Sequence, residues 1–79
     1  MKVAYLTTVG SSDPTRASIP IHLAVNGSVE VGHDVILLLA GDATELVLPG
    51  AADAIKGLGV PAMSELLAKI RDHQVPVFV

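Results

Sequence analysis

Three short apolar runs, separated by helical segments, constrain the fold of this chain more than any other feature. Residues 35–39 form the clearest run, Val-Ile-Leu-Leu-Leu, which is typical of a parallel strand covered on both faces. Residues 2–6 and 75–79 are also short, mostly apolar runs with β-branched and aromatic residues, and we expect strands there too. Strands that alternate with helices pair in parallel and are joined by right-handed crossovers. The pattern therefore predicts an α/β fold with a parallel sheet.

Helical segments are predicted between these strands. Asp13 and Pro14 begin the first helix, because aspartate at the N-cap accepts backbone N–H groups and proline fits the first turn. This helix is expected over 14–31, with a kink or a shifted start at Pro20 and its end at Gly32. Further helices are predicted over 43–48 and 61–73, with one or two extra helical turns over 51–56 between them. The resulting order of elements is β-α-β-α-α-β.

The apolar content exceeds what a chain of this length can bury alone. Of the 79 residues, 51% are hydrophobic and the mean hydropathy is +0.60. A chain this short buries only about 60–65% of its unfolded surface. The excess predicts an oligomer that covers the surplus, a fold truncated after its third strand, or both. We expect one domain over residues 1–79, the N-terminal part of a larger fold.

Several classes of function do not fit the composition. The net charge is −3, and the five Lys and Arg residues form no basic patch, so nucleic acid is not an expected partner. The longest apolar run, 35–40, is too short for a membrane span, and no signal peptide precedes it. The sequence thus predicts a soluble, cytoplasmic protein with no membrane partner. Neither a Walker pattern nor a dinucleotide fingerprint is present, and no cofactor is predicted.

Two loops follow the first two predicted strands and form the candidate ligand site. In a parallel sheet both loops open on the same edge. The first loop has hydroxyl groups and the start of a helix, which suit a phosphate, a sulfate or a persulfide. The alternative is that these side chains only cap the helix and form the turn. The candidate ligand-binding residues are Thr8, Ser11, Ser12, Gly41 and Asp42.

The chemistry of single residues adds little to this site. Asp42 is a candidate general base, but the spacing of Asp42 and Glu45 also fits a capping box, with Asp42 as N-cap. The three histidines, His22, His33 and His73, share no spacing with other ligands that would indicate a metal site. No nucleophile elbow or catalytic triad can be assembled. The sequence predicts no catalytic residue and no metal.

The whole chain resembles the DsrE/DsrF-like family, also called YchN-like, of small α/β proteins linked to sulfur transfer. The order and spacing of several short stretches carry this resemblance, although no single stretch is specific. The matching stretches are 2–8, 12–17, 32–35, 39–43, 55–61 and 64–67. The resemblance implies a three-layer α/β/α fold around a five-stranded parallel sheet, assembled as trimers or hexamers. The present chain would then stop after the third strand.

The resemblance also implies a chemistry that this chain lacks. Some members carry sulfur as a persulfide on a cysteine just after the strand equivalent to 75–79. The chain has no cysteine, so it cannot carry sulfur on a thiol of its own. The leading hypothesis is a protein related to sulfur relay without the catalytic cysteine, and the sequence leaves open whether it is an enzyme. The alternatives are a non-catalytic subunit that assembles with its own copies or paralogues, and a flavodoxin-like binder of a small anionic or phosphorylated ligand.

Overall fold

Strands and helices alternate along the chain in the predicted order. A computed structural model describes all 79 residues. The elements are β1 (Lys2–Thr7), α1 (Pro14–Leu23), a π-helical turn (Ala24–Ser28), β2 (Asp34–Leu39), two 3-10 helices (Gly41–Val47 and Ala51–Ala54), α2 (Met63–Asp72) and β3 (Val77–Phe78). None of the helices combines the length and the apolarity that are needed to cross a lipid bilayer.

The three strands form one parallel sheet in the order β1-β2-β3. β1 and β2 pair along their whole length, from Lys2 opposite Asp34 to Thr7 opposite Leu39. β3 adds only two residue pairs on the other side of β2. The predicted α/β class with a parallel sheet is therefore confirmed.

The helix after β1 begins as predicted but changes type along its length. Asp13 Oδ1 accepts the backbone N–H of Arg16 at 3.2 Å, which confirms Asp13 as the N-cap. The α-helix continues through Pro20 and ends at Leu23, where a π-helical turn takes over. The prediction of one helix type over 14–31 is wrong in its second half. The wider π-helical turn carries Ser28, whose hydroxyl lies 2.6 Å from the Tyr5 hydroxyl on β1.

The segments after β2 are shorter or tighter than predicted. The helices expected over 43–48 and 51–56 are 3-10 helices. β3 covers two residues of the predicted 75–79, because the N–H of Val75 donates to the Ile70 carbonyl at 3.0 Å and closes α2 instead of pairing with β2. Pro76 has no N–H, although its carbonyl accepts the N–H of Leu37 at 2.9 Å.

Both α-helices pack on the same face of the sheet. This follows from the strand order, since right-handed crossovers between successive neighbours place every connection on one side. One apolar cluster joins the helices to that face of the strands. Its buried members are Ala17, Ile21, Val25, Leu37, Leu39, Ala43, Leu46, Ile55, Met63, Leu66 and Ile70. The residues described thus build one helical layer and the sheet.

The opposite face of the sheet has no helix over it. On β2, the side chains of Val35, Leu37 and Leu39 are buried, whereas Ile36 and Leu38 between them are only half-buried. The expectation that residues 35–39 are covered on both faces is therefore wrong. The register places five apolar side chains on this open side, which we call the uncovered face: Ala4, Leu6, Ile36, Leu38 and Phe78.

Candidate functional site

The two loops that follow β1 and β2 meet at the carboxyl edge of the sheet. The N–H of Ala40 donates to the Thr7 carbonyl at 3.0 Å, which keeps the two chain segments together after the strands end. Gly41 has a φ of +55°, and a Cβ at this position would lie 3.2 Å from the Thr8 carbonyl oxygen. The close approach of two backbones therefore accounts for a glycine here. Of the predicted site residues, Thr8 and Gly41 are neighbours.

Glu45, which the sequence did not single out as part of the site, joins the two loops most directly. Its Oε1 accepts the backbone N–H of Ser11 at 2.5 Å. The carboxylate lies over Gly10, where a Cβ would also come within 2.7 Å of the Asp42 carbonyl oxygen. The backbone hydrogen bond from Ser11 is the main cause of the lowered pKa of Glu45. The loop thus binds a carboxylate that belongs to the chain itself.

The predicted capping box of Asp42 and Glu45 is wrong. The 3-10 helix begins after Ala40, which places Asp42 in its first turn and not at its N-cap. The Glu45 carboxylate is engaged by the first loop and does not reach back to cap this helix. Thr44 supplies a local side-chain contact instead, because its hydroxyl donates to the Gly41 carbonyl at 2.9 Å.

The remaining predicted residues are exposed and make few contacts. The side chains of Ser12 and Asp42 have no hydrogen-bond partner within the chain. The hydroxyl of Thr7, which directly precedes the first loop, is in a different environment. Thr7 is the last residue of β1, it is 1% exposed, and its Oγ1 has no partner. This hydroxyl lies under the helical layer and is withdrawn from the loop surface.

The charge at this edge is predominantly negative. Asp13, Asp42 and Glu45 contribute carboxylates, and Arg16 is the basic residue nearby, with Nε 3.6 Å from Asp13 Oδ2. An external anion would have to displace Glu45 from the Ser11 amide and would approach two more carboxylates. Nowhere in the chain do three or more His, Cys, Asp or Glu side chains lie together as a metal site would require.

A separate polar group links α1 to α2. Asn26, in the π-helical turn, donates through Nδ2 to His22 Nδ1 at 2.9 Å, and its Oδ1 accepts from the Lys69 ammonium. Since Nδ1 accepts in this arrangement, the imidazole of His22 carries its proton on Nε2. The sequence did not indicate this group, because Asn26 and Lys69 are far apart in the chain. We assign it to the contact between the helices.

The uncovered face is the largest feature that the edge loops do not explain. Leu6 and Phe78 are 55% and 54% exposed, and both flank the half-buried Leu38 in register. Large apolar side chains that lie together on an open face mark a contact site more often than an empty surface. The sequence predicted apolar residues at these positions but placed them in a core.

Comparison of the chain with protein-family models, with curated proteins and with solved structures gives no match, so membership of the DsrE/DsrF-like family stays a prediction.

Proposed function

We propose that this chain is a non-catalytic assembly module, in which the uncovered face packs against the same face of a second copy. The observation that carries the proposal is the row of Leu6, Leu38 and Phe78, which lie side by side across all three strands without a covering layer. Burial of apolar surface provides about 25 cal/mol per Å². A second sheet stacked about 10 Å away would cover this row.

The charges at one end of the face favour one orientation of the second copy. A face that packs against itself requires a two-fold axis. An axis parallel to the strands would stack β2 on its equivalent and place the two Asp34 carboxylates opposite each other. An axis perpendicular to the strands makes the stacked strands antiparallel and separates these carboxylates. Leu38 of one copy then lies opposite Ile36 of the other.

The size of the face sets the expected strength of the contact. Three strands spaced by about 4.8 Å give a face about 15 Å wide and about 20 Å long. The area is about 300 Å² per copy, well below the about 800 Å² per partner of a standard stable interface. The association is therefore expected to depend on concentration. Any larger assembly, including the trimer or hexamer that the family resemblance implies, would need additional surfaces.

Light scattering after size exclusion tests the proposal directly. Across micromolar to millimolar concentrations, the mass should rise from 8.1 kDa towards twice that value. Leu6→Lys places a charge on the uncovered face and should hold the protein at 8.1 kDa. Leu58→Lys is the matched control, since Leu58 is 86% exposed in a loop away from the face. A wild-type protein that stays monomeric throughout the range would refute the proposal.

The sulfur-relay activity implied by the family resemblance would need a thiolate from outside these 79 residues, because they contain no cysteine. In that case the module would contribute assembly and a strand-end surface to the relay. Mixing the chain with a persulfide-carrying donor protein and measuring sulfur on each polypeptide by mass spectrometry tests this role. Transfer to the chain itself would contradict it.

A second candidate function is the binding of a small anion at the carboxyl-edge loops. It is favoured by the Ser11 amide, which already binds the Glu45 carboxylate. Glu45→Gln removes the internal anion and should allow inorganic phosphate or flavin mononucleotide to raise the melting temperature, whereas Glu30→Gln, an exposed change elsewhere, should not. No thermal shift with any of these ligands in either variant would exclude this function.

A further inference from the structure

The largest cavity of the molecule lies at the amino edge of the sheet, at the opposite end of the strands from the candidate loops. It is a groove of about 580 Å³, which is within the range of small-molecule sites. Three separate stretches of the chain and Val29 line it: the stretches are residues 2–4 of β1, residues 33–36 at the start of β2, and residues 73–76 after α2. The tertiary fold, and not one mobile loop, therefore sets its shape.

Nitrogen-bearing side chains dominate the polar part of this groove. Lys2, His33, His73 and Gln74 all line it, and Asp34 is the single carboxylate among the lining residues. None of these five side chains forms a hydrogen bond or an ion pair within the chain. The N–H donors of the four nitrogen-bearing side chains are therefore free to bind a ligand. In particular, no carboxylate lies within 4.0 Å of the Lys2 ammonium, even though Asp34 pairs with Lys2 in the sheet register.

The rest of the groove is apolar. Ala4 and Ile36 form its wall on the sheet, and Val75 and Pro76 form part of the wall contributed by the segment before β3. The approach to β3 is fixed at Gln74, which has a φ of 54° and is the only non-glycine residue with positive φ. A ligand that fits these walls has an apolar body, and its polar end meets the ammonium and the imidazoles.

We propose that the amino-edge groove binds a small monocarboxylate with an apolar body. The carboxylate accepts charge-assisted hydrogen bonds from Lys2 and N–H bonds from the imidazoles, while the apolar body lies against Ala4 and Ile36. The chain as a whole carries a net charge of −3 and the carboxyl edge is acidic, whereas in this groove the charge of Lys2 balances that of Asp34. The site is separate from the candidate loops, and it shares Ala4 and Ile36 with the uncovered face.

The test is a titration of the full chain with benzoate, followed by amide chemical shifts in two-dimensional NMR. Saturable shifts should be confined to residues 2–4, 29, 33–36 and 73–75. Benzamide has the same ring without the charge and should bind about tenfold more weakly, the difference expected for losing one charge-assisted hydrogen bond.

Three variants separate this site from general charge effects. Lys2→Gln should weaken benzoate binding about tenfold. Asp34→Asn should strengthen it, because the one opposing carboxylate is removed. Lys56→Gln is the matched control, since it removes an exposed ammonium outside the groove and should leave the affinity unchanged.

Three outcomes would overturn the proposal. The first is the absence of saturable shifts at the groove at millimolar benzoate. The second is equal affinity for benzoate and benzamide. The third is an equal loss of affinity in Lys2→Gln and Lys56→Gln. Because Ala4 and Ile36 also belong to the uncovered face, the titration is repeated in the Leu6→Lys variant. Benzoate binding in that monomer supports the site whether or not the wild-type chain assembles.

Discussion

The two faces of the sheet are built from the same strands and nearly the same residue types, yet they differ in what covers them. On β2, Leu37 is fully buried and its neighbour Leu38 is half-buried, although both are leucines at the centre of the strand. The difference comes from topology. With the strand order β1-β2-β3 and right-handed crossovers, both helices lie on one side. The strands thus place apolar side chains on both faces of the sheet, and the strand order decides which face the helices cover.

The largest loss of stability is expected from truncating a side chain on the face of the sheet that the helices cover. Leu37→Ala removes a side chain that is 0% exposed and packed in the apolar cluster, which costs about 2–5 kcal/mol of unfolding free energy. A domain of this size has little stability to spare, so a large unfolded fraction is expected. Urea denaturation followed by circular dichroism measures the loss.

Leu38→Ala is the matched variant on the other side of the same strand. Because Leu38 is half-buried on the uncovered face, its truncation should cost well under half as much in the monomer. If the two variants lost equal stability at low concentration, the faces would be equally covered in the single chain. The distinction between the two faces would then be wrong.

The next effect concerns association and not folding. Phe78→Lys, on the two-residue strand β3, should weaken self-association at least about tenfold, because a charge replaces an aromatic side chain in the proposed contact. Its unfolding free energy at low concentration should change by less than about 1 kcal/mol, since Phe78 is more than half exposed. Sedimentation equilibrium gives the dissociation constant.

Unfolding of Phe78→Lys at low concentration would show instead that Phe78 stabilises the single chain. Association unchanged in this variant would remove β3 from the proposed contact. Val31→Lys is the control for added charge, because Val31 is 69% exposed and lies in the turns before β2, outside the uncovered face.

A smaller effect tests the polar contact beneath the helical layer. Tyr5→Phe removes the hydrogen bond between the Tyr5 hydroxyl and Ser28 Oγ, which should cost about 0.5–1.5 kcal/mol of unfolding free energy. Ala4→Ser, the neighbouring position on the uncovered face, should change this energy by less than about 0.5 kcal/mol. A larger loss in Ala4→Ser than in Tyr5→Phe, measured by thermal unfolding, would reverse the order expected for the two faces.

The smallest effect lies outside both faces, at the carboxyl edge. The hydrogen bond from the Ser11 amide lowers the pKa of Glu45 in the folded chain. A carboxyl whose folded pKa is depressed stabilises the fold above its unfolded pKa, and this stabilisation is lost as the pH falls through the folded pKa. The stability difference between wild type and Glu45→Gln should therefore be present at pH 7 and should disappear in acid.

Chemical denaturation repeated from about pH 2 to about pH 7, the range in which carboxyl groups titrate, measures this difference. Glu65→Gln, on the exposed side of α2, provides a reference carboxyl without such a contact. A wild-type advantage over Glu45→Gln that grows towards low pH would contradict the assignment of the Ser11–Glu45 hydrogen bond.

The parts of the fold that depend on local pattern could be predicted from the sequence. The strands at 2–6 and 35–39 and the amphipathic helix near 61–73 were expected, because periodicity and capping residues are local signals. The meeting of the two loops at one edge also followed from parallel pairing. Thr8 and Gly41 are close for that reason.

What could not be predicted depends on contacts between distant residues. The π-helical turn places Ser28 against Tyr5, and no local pattern indicates this pairing. Glu45 was assigned to a capping box, but its carboxylate is used by the Ser11 amide 34 positions earlier. The sequence also did not show that helices cover only one face of the sheet. An apolar run such as 35–39 can occur in a strand that has helices on one face or on both faces.

The two-residue strand β3 gives β2 two unequal sides for amide exchange. In a parallel sheet, alternate residues direct their N–H groups to opposite neighbours. The N–H of Leu37 donates to Pro76, next to the short β3, whereas those of Asp34 and Ala40 donate to the β1 side. By the same alternation, the N–H of Leu38 faces the fully paired β1. Detachment of β3 breaks few contacts, so we expect the amide of Leu37 to exchange with solvent sooner than that of Leu38. On this expectation, the more deeply buried side chain belongs to the less protected backbone amide.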